Sequence, residues 1–398
     1  MNVETYRQRV SQLQTLLKAR GLDATIVIKP EHVRYVSGFW GYTTRPEYVG
    51  PRRLTAVVVP AKGDPTLIVP KLERAYAQRR SWFADVRHHV EWRQPNEIFG
   101  GTALLDQVLA EKGLKRGRIG LELNFISVAS YKQLCDSFET VTFEDVSGVV
   151  EEMRMIKSPE EIEILRVGGR MAVLEYLAEV KAIKAGVREF DVAIVGREEA
   201  TRLYADFIKD SDSPIPVDHP ILDGHQIITS GPRLDMGHAI ASTRTIQDGD
   251  MVLLDFCRMP QAEGYRIGFA RNVALRQPTR DEADKYAVGR EAYKQAVALL
   301  RPGVLAEEPD LVARSILERG GLRETSLHRT GRGVGLEGME RPEICLGDKT
   351  PFREGMVFTI EPSSYDSPFA IHVEDTYLIT RDGCECLTEA PRELNIIA

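Results

Sequence analysis

Three acidic residues stand inside strand-type runs in the last third of the chain, and they constrain its folding more than any other feature. They are Asp255 in GDMVLLDFC, Glu361 in GMVFTIEPSSY and Glu374 in FAIHVEDTYLITRDG. Runs so rich in Val, Ile, Leu and Thr, bounded by Gly and Pro, read as strands. A carboxylate carried into the interior by such a strand needs partners there. The three are therefore expected to point inward from one sheet. The chain has 398 residues, enough for two domains that each bury a core.

Composition excludes several classes of partner. No run approaches the roughly 20 apolar residues of a membrane span, so no membrane partner is expected. The opening MNVETYRQRVSQLQ is polar and amphipathic, without the apolar core of a signal peptide. A net charge of −7, a pI near 5.8 and the lack of a basic stripe argue against nucleic acid. The five cysteines (Cys135, Cys257, Cys345, Cys384 and Cys386) form no framework, and the Cys384–Cys386 pair is too isolated to propose zinc. A reduced cytoplasm is the expected compartment.

Residues 1–150 read as an α/β domain with a mixed sheet. Tyr6, Val10, Leu13, Leu16 and Leu17 have helical spacing. GLDATIVIKP, LTAVVVP, PTLIVP and RIGLEL read as strands, and ALLDQVLAEKG as a helix. The second domain is set at 151–398. Near its start, Ser158-Pro159-Glu160-Glu161 forms a capping box with Pro in the first turn, ahead of Ile162 and Leu165. VKAIKAGVREFDVA and VALLRPGVLAEEPDLVA echo each other as helix end, Gly-Val turn and new helix, which suggests two related halves.

Six segments in order, RMIKSPEEIEILR, SGPRLDMGH, GDMVLLDF, TGRGVGLEGMERP, EGMVFTIEP and VEDTYLIT, preceded by VRYVSGF as an N-domain strand-turn segment, resemble the creatinase/prolidase superfamily over essentially the whole chain. The resemblance implies an N-terminal creatinase-type α/β domain and a C-terminal pita-bread domain, a curved antiparallel sheet covered by helix pairs, in a homodimer. Metal-binding members use two Asp, one His and two Glu. Carried over by motif, these positions are Asp255, Gly268, Arg332, Glu361 and Glu374, and Met339 replaces a further family His.

Two ligands of that set are thus absent. Two ions need enough oxygen or imidazole ligands to repay their dehydration. Arg332 adds a charge that does not deprotonate near neutrality. A unit charge about 4 Å from a divalent ion costs roughly 8 kcal/mol at an effective dielectric of about 20. Arg332 is expected instead to neutralise Asp255 or Glu361. One residual ion on Asp255, Glu361 and Glu374, with Arg332 swung away, is the competing arrangement.

Creatinase, a metal-free member, uses a histidine as acid/base, and DMGHAIASTRTI places His238 in that role. Its substrate carboxylate is held by arginines, which implies Arg53, lent across the dimer, and Arg341; Arg52 competes with Arg53. One creatinase glutamate corresponds to Glu361, but Ala270 stands where the other falls. Ectoine hydrolases suggest Asp255 as a nucleophile, although it is shorter by about 1.5 Å. His328 and His372 are candidates to line the substrate pocket. For Arg271 and Arg329 the ordinary reading is a salt bridge, and for Tyr265 it is packing. Trp40, Tyr42 and Tyr48 suit either a lid or dimer packing, and Asp218-His219 reads as a solvated pair.

The resulting expectation is a metal-independent, creatinase-like hydrolase of a C–N bond in a small carboxylated nitrogen compound, needing no cofactor. His238, Glu361, Asp255, Glu374 and Arg332 would carry the chemistry. The alternatives are a metal-dependent Xaa-Pro dipeptidase or aminopeptidase P-like enzyme, and a non-catalytic binding protein or lyase on the same fold.

Overall fold

A computed structural model describes residues 1–42, 53–209, 226–256 and 261–397. Tyr48, Arg52, Asp218 and His219 lie outside the described residues. The chain divides between Met153 and Arg154 into two compact units.

The first unit runs α1 (Val3–Ala19), β1 (Ala24–Val27), α2 (Pro30–Ser37), β2 (Ala56–Pro60), β3 (Thr66–Pro70), α3 (Arg74–Arg80), β4 (Val86–His89), α4 (Gly101–Glu111), β5 (Gly117–Leu121), α5 (Val128–Ser137), β6 (Val141–Asp145) and α6 (Ser147–Arg154), the last crossing the division. Its six strands form one mixed sheet in the order β4-β3-β2-β1-β5-β6. Ile26, Val58, Ile68 and Ile119 from the sheet pack with Leu105, Val108 and Leu109 of α4. VRYVSGF is not a strand and turn. It belongs to α2, because Pro30 pre-forms the first turn and Gly38, at φ 78°, supplies the left-handed cap. Trp40 is half-buried and Tyr42 exposed.

The second unit begins with α7 (Pro159–Ala182) and α8 (Glu189–Lys209), then β7 (Ile227–Ser230), β8 (Met251–Asp255), β9 (Gln261–Ala262), β10 (Tyr265–Arg266) and β11 (Ala270–Ala274). A second helix pair follows, α9 (Arg280–Val297) and α10 (Glu307–Arg319), then β12 (Gly331–Gly333), β13 (Glu340–Ile344), β14 (Val357–Ile360), β15 (Ser363–Ser364), β16 (Ile371–His372), β17 (Asp375–Ile379), β18 (Cys384–Cys386) and β19 (Asn395–Ile396). The helix pairs are built alike. α7 opens on the Ser158–Glu161 capping box and α9 on Thr279–Glu282. Each pair turns at a left-handed glycine, Gly186 at φ 92° and Gly303 at φ 89°, followed by valine.

The expected antiparallel sheet covered by helices is built from two larger sheets, β19-β11-β8-β7 and β13-β12-β14-β17-β18, with β9-β10 and β15-β16 as two-stranded additions. All pairings are antiparallel except β11 with β19. One bridge, Ala270 to Glu374, joins them. The core between sheets and helices includes Leu253, Phe358, Ile360 and Tyr377 with Tyr286, Ala296, Ala313 and Leu317. Among the described residues, no helix is long and apolar enough to cross a membrane.

Candidate active site

The joint between the two sheets gathers the carboxylates. Asp255 ends β8 opposite Ala270. Ala270 and Glu374 exchange backbone hydrogen bonds of 3.2 and 3.1 Å. Residues directly opposite share a face, so Asp255 and Glu374 flank the small Ala270 side chain. Ile360 pairs with Asp375, which brings Glu361 beside Glu374. Arg332, at the centre of β12, donates through Nε to the Gly338 carbonyl at 2.8 Å. Its Nη1 donates to Glu361 Oε1 and lies 3.5 Å from Glu374 Oε1. Thr359 Oγ1 donates to the same Glu361 oxygen at 3.1 Å. The expected ion pair of Arg332 is therefore with Glu361.

The histidines form a second layer. Ser363 pairs with His372 between β15 and β16. The Ser363 hydroxyl lies 2.8 Å from His328 Nε2. His328 Nδ1 donates to the Arg329 carbonyl at 2.7 Å, which leaves the lone pair of a neutral ring on Nε2. The Tyr365 hydroxyl lies 3.1 Å from that Nε2 and 3.2 Å from His372 Nδ1. His372 Nδ1 is 3.6 Å from Asp255 Oδ2, and its backbone N–H donates to Asn272 Oδ1 at 2.8 Å. One ligand atom each from His328, Glu361 and His372 lie within 4.8 Å of one another.

Burial sets the protonation states. It would raise the Glu361 carboxyl, but the Arg332 charge, with His328 and His372, holds it down to about 2. Burial drives His372 down to about 3, so its ring is neutral at pH 7. Glu374 is raised well above the carboxylate range by burial and then by Glu361, and both its oxygens lack hydrogen bonds among the described residues. Tyr365 is likewise raised by burial and the Asp255 charge.

Other sequence candidates fall at different places. His238 is exposed in a turn, without a hydrogen-bond partner among the described residues. Its neighbour Gly237 lies against the Tyr365 ring, which a Cβ there would meet at 3.4 Å. Arg341 is exposed on β13 and carries no ion pair among the described residues. Arg53, in the first unit, pairs with Glu91. Arg271 is buried against Asp375 at 2.8 Å, Arg329 lies 3.6 Å from Glu343, and Tyr265 donates to Glu161 at 2.8 Å. The sequence reading passes over Tyr365 and Ser363, whose only signal was their place just after Glu361.

A pair of ions on the motif positions does not fit these residues. A Cβ on Gly268 would come 2.2 Å from Glu374 Oε1 and 2.4 Å from Thr359 Cγ2, so an aspartate there cannot coexist with Glu374 as placed. The Arg332 guanidinium holds the space between Glu361 and Glu374. The His328, Glu361 and His372 set does fit a single ion, since it offers two imidazole nitrogens and an ionised carboxylate.

Comparison with known proteins gives two family matches. Residues 165–381, more than half the chain, match the Metallopeptidase family M24, and residues 9–156 match the Creatinase/Prolidase N-terminal domain. The Xaa-Pro dipeptidase of Pyrococcus furiosus is 30% identical over 391 residues, covering 98% of this chain and 99% of the relative. That of Lactobacillus helveticus is 29% identical over 392 residues, covering 98% of each. Among solved structures, the prolidase of Pyrococcus horikoshii aligns with a TM-score of 0.79 at 27% identity, covering 97% of this chain and 99% of that one. The X-Pro aminopeptidase of Thermotoga maritima aligns at 0.82 and 24% identity, covering 98% and 99%, and shows the fold. These matches overturn the expected metal-independent, creatinase-like chemistry, since the family is one of metallopeptidases and the full-length relatives are dipeptidases. The sequence argument counted ligands only at the five motif positions. It named His328 and His372 as pocket residues and did not count them with Glu361 as one possible ligand set.

Proposed function

The chain belongs to the Metallopeptidase family M24, and on that premise we propose that it is a metal-dependent hydrolase cleaving the C–N bond of Xaa-Pro dipeptides. The observation that carries the reading is end-to-end similarity to Xaa-Pro dipeptidases. His328, Glu361 and His372 are the residues that would hold a metal ion, which supplies polarisation of the scissile carbonyl and acidification of water.

The chain's own groups supply the remaining functions. His238, exposed in the turn whose Gly237 lies against the Tyr365 ring, would return a proton to the leaving nitrogen. Arg341, exposed and unpaired among the described residues, suits bidentate capture of the dipeptide carboxylate. Arg332 keeps Glu361 ionised, and its fixed charge would stabilise an oxyanion formed beside it. Asp255 lies against His372 and orients that ring.

The test is hydrolysis of a panel of Xaa-Pro dipeptides and matched Xaa-Ala controls. Activity on the proline series, abolished by exhaustive chelation and restored by Co²⁺ or Mn²⁺, is expected. Turnover that survives chelation, or no turnover of any Xaa-Pro dipeptide by metal-loaded protein, overturns the reading.

A further inference from the structure

The carboxylate set and the histidine set meet at one residue. Glu361 Oε1 is engaged by Arg332 and Thr359, and the same carboxylate lies within ligand reach of His328 and His372. We propose that this protein binds one first-row divalent cation, of the Zn²⁺ or Co²⁺ class, through His328, His372 and Glu361, while the Arg332 guanidinium takes the place that a second ion has in the family pattern.

Four observations carry the inference, which rests on the metal-dependent reading above. First, the donor set is two imidazoles and one carboxylate, a combination suited to borderline cations and poor for Mg²⁺ or Ca²⁺. Second, the His328 ring is prepared for ligation. Its Nδ1–H is fixed on the Arg329 carbonyl, the usual way a ligating imidazole is oriented from behind.

Third, His372 is left unsatisfied. Its Nε2 is buried and has no hydrogen-bond partner among the described residues. The Tyr365 hydroxyl has one proton and stands between two ring nitrogens, so it cannot donate to both. With the Ser363 hydroxyl also reaching His328 Nε2, the atom left without a partner is His372 Nε2, whose lone pair a cation can take. Fourth, two carboxylates border the histidines: Glu361, which is paired with Arg332, and Asp255, whose Oδ2 lies 3.6 Å from His372 Nδ1. Glu374 lies 3.5 Å from Arg332 Nη1, beside Gly268, and is not among the proposed ligands.

The experiment is a Co²⁺ titration of chelator-stripped full-length protein, read by visible absorption and by thermal shift. One equivalent is expected to give a d–d band and a raised Tm. His328→Gln and His372→Asn should each weaken binding at least tenfold, and Glu374→Gln should change it less than about threefold. Circular dichroism checks folding. Should His372→Asn unfold, His328→Gln, at a half-buried position, carries the test alone. Two equivalents bound, or affinity lost in Glu374→Gln but kept in the histidine variants, overturns the proposal. Metal-dependent dipeptide hydrolysis with either of those patterns would sink this site and leave the functional reading standing. One equivalent bound through the histidines, without hydrolysis of any Xaa-Pro dipeptide, would do the reverse.

Discussion

Arg332 is the residue on which the site's electrostatics turn. Its side chain is almost fully buried, and it faces Glu361 and Glu374, which are equally buried. Removing one partner of such a group leaves an uncompensated charge and typically costs about 3–5 kcal/mol. Arg332→Ala is therefore predicted to lose about that much stability at pH 7, measured by urea unfolding of metal-free protein. A loss below about 1 kcal/mol would show that the guanidinium does not hold the acids together. Arg332→Lys should recover only part, because a point charge on a flexible stem cannot replace the planar fork that also reaches the Gly338 carbonyl.

At the level of elements, the hairpin of β12 and β13 carries Arg332 and is fastened from behind. Glu340 on β13 is buried between Arg154 and Lys157, with Lys157 Nζ at 2.9 Å. Burial would raise its carboxyl, but those two cations hold it down to about 2. A depressed carboxyl contributes stability that is present above its unfolded value near 4.5 and lost as pH falls toward about 2. Glu340→Gln is thus predicted to cost about 3–5 kcal/mol at pH 7. The gap to the parent protein should narrow at pH 3; an equal gap at both pH values would rule out the charge as its source.

Elements also mark what the sequence allowed one to read. The start of α7 was legible because a capping box and a proline are local signals. α2 was misread because the resemblance pointed to a strand and turn at VRYVSGF, and only Pro30 and Gly38 together declare a helix. The carboxylate positions were legible by motif. The approach of His328 to His372 was not, because it depends on the β15–β16 pairing, which sets Ser363, bonded to His328, opposite His372. No spacing in the chain encodes that register.

Across the whole molecule, buried acids divide into two groups with opposite pH signs. Glu175 on α7 is raised to about 8 by burial, and Glu179 and Glu374 are raised as well. A raised carboxyl stabilises below about 4.5, and that contribution is lost as pH climbs through its folded value. Glu282, Glu340 and Glu361, held at about 2, lose their contribution as pH falls below about 4.5. His372, lowered to about 3, adds to the acid-side loss from about pH 6.5 downward. Stability of the chelated protein is therefore predicted to peak near pH 5. Urea midpoints at pH 3, 5 and 8 test this, and a midpoint rising steadily from pH 5 to pH 8 would contradict it.

The crowding at Gly268 acts as a ratchet. Gly268→Asp alone drives a side chain into Glu374. Arg332→His alone strips Glu361 of its permanent counter-charge. Each single step toward a two-ion arrangement therefore disturbs the present packing or charge pairing, and the two changes are expected to be tolerated better together than apart.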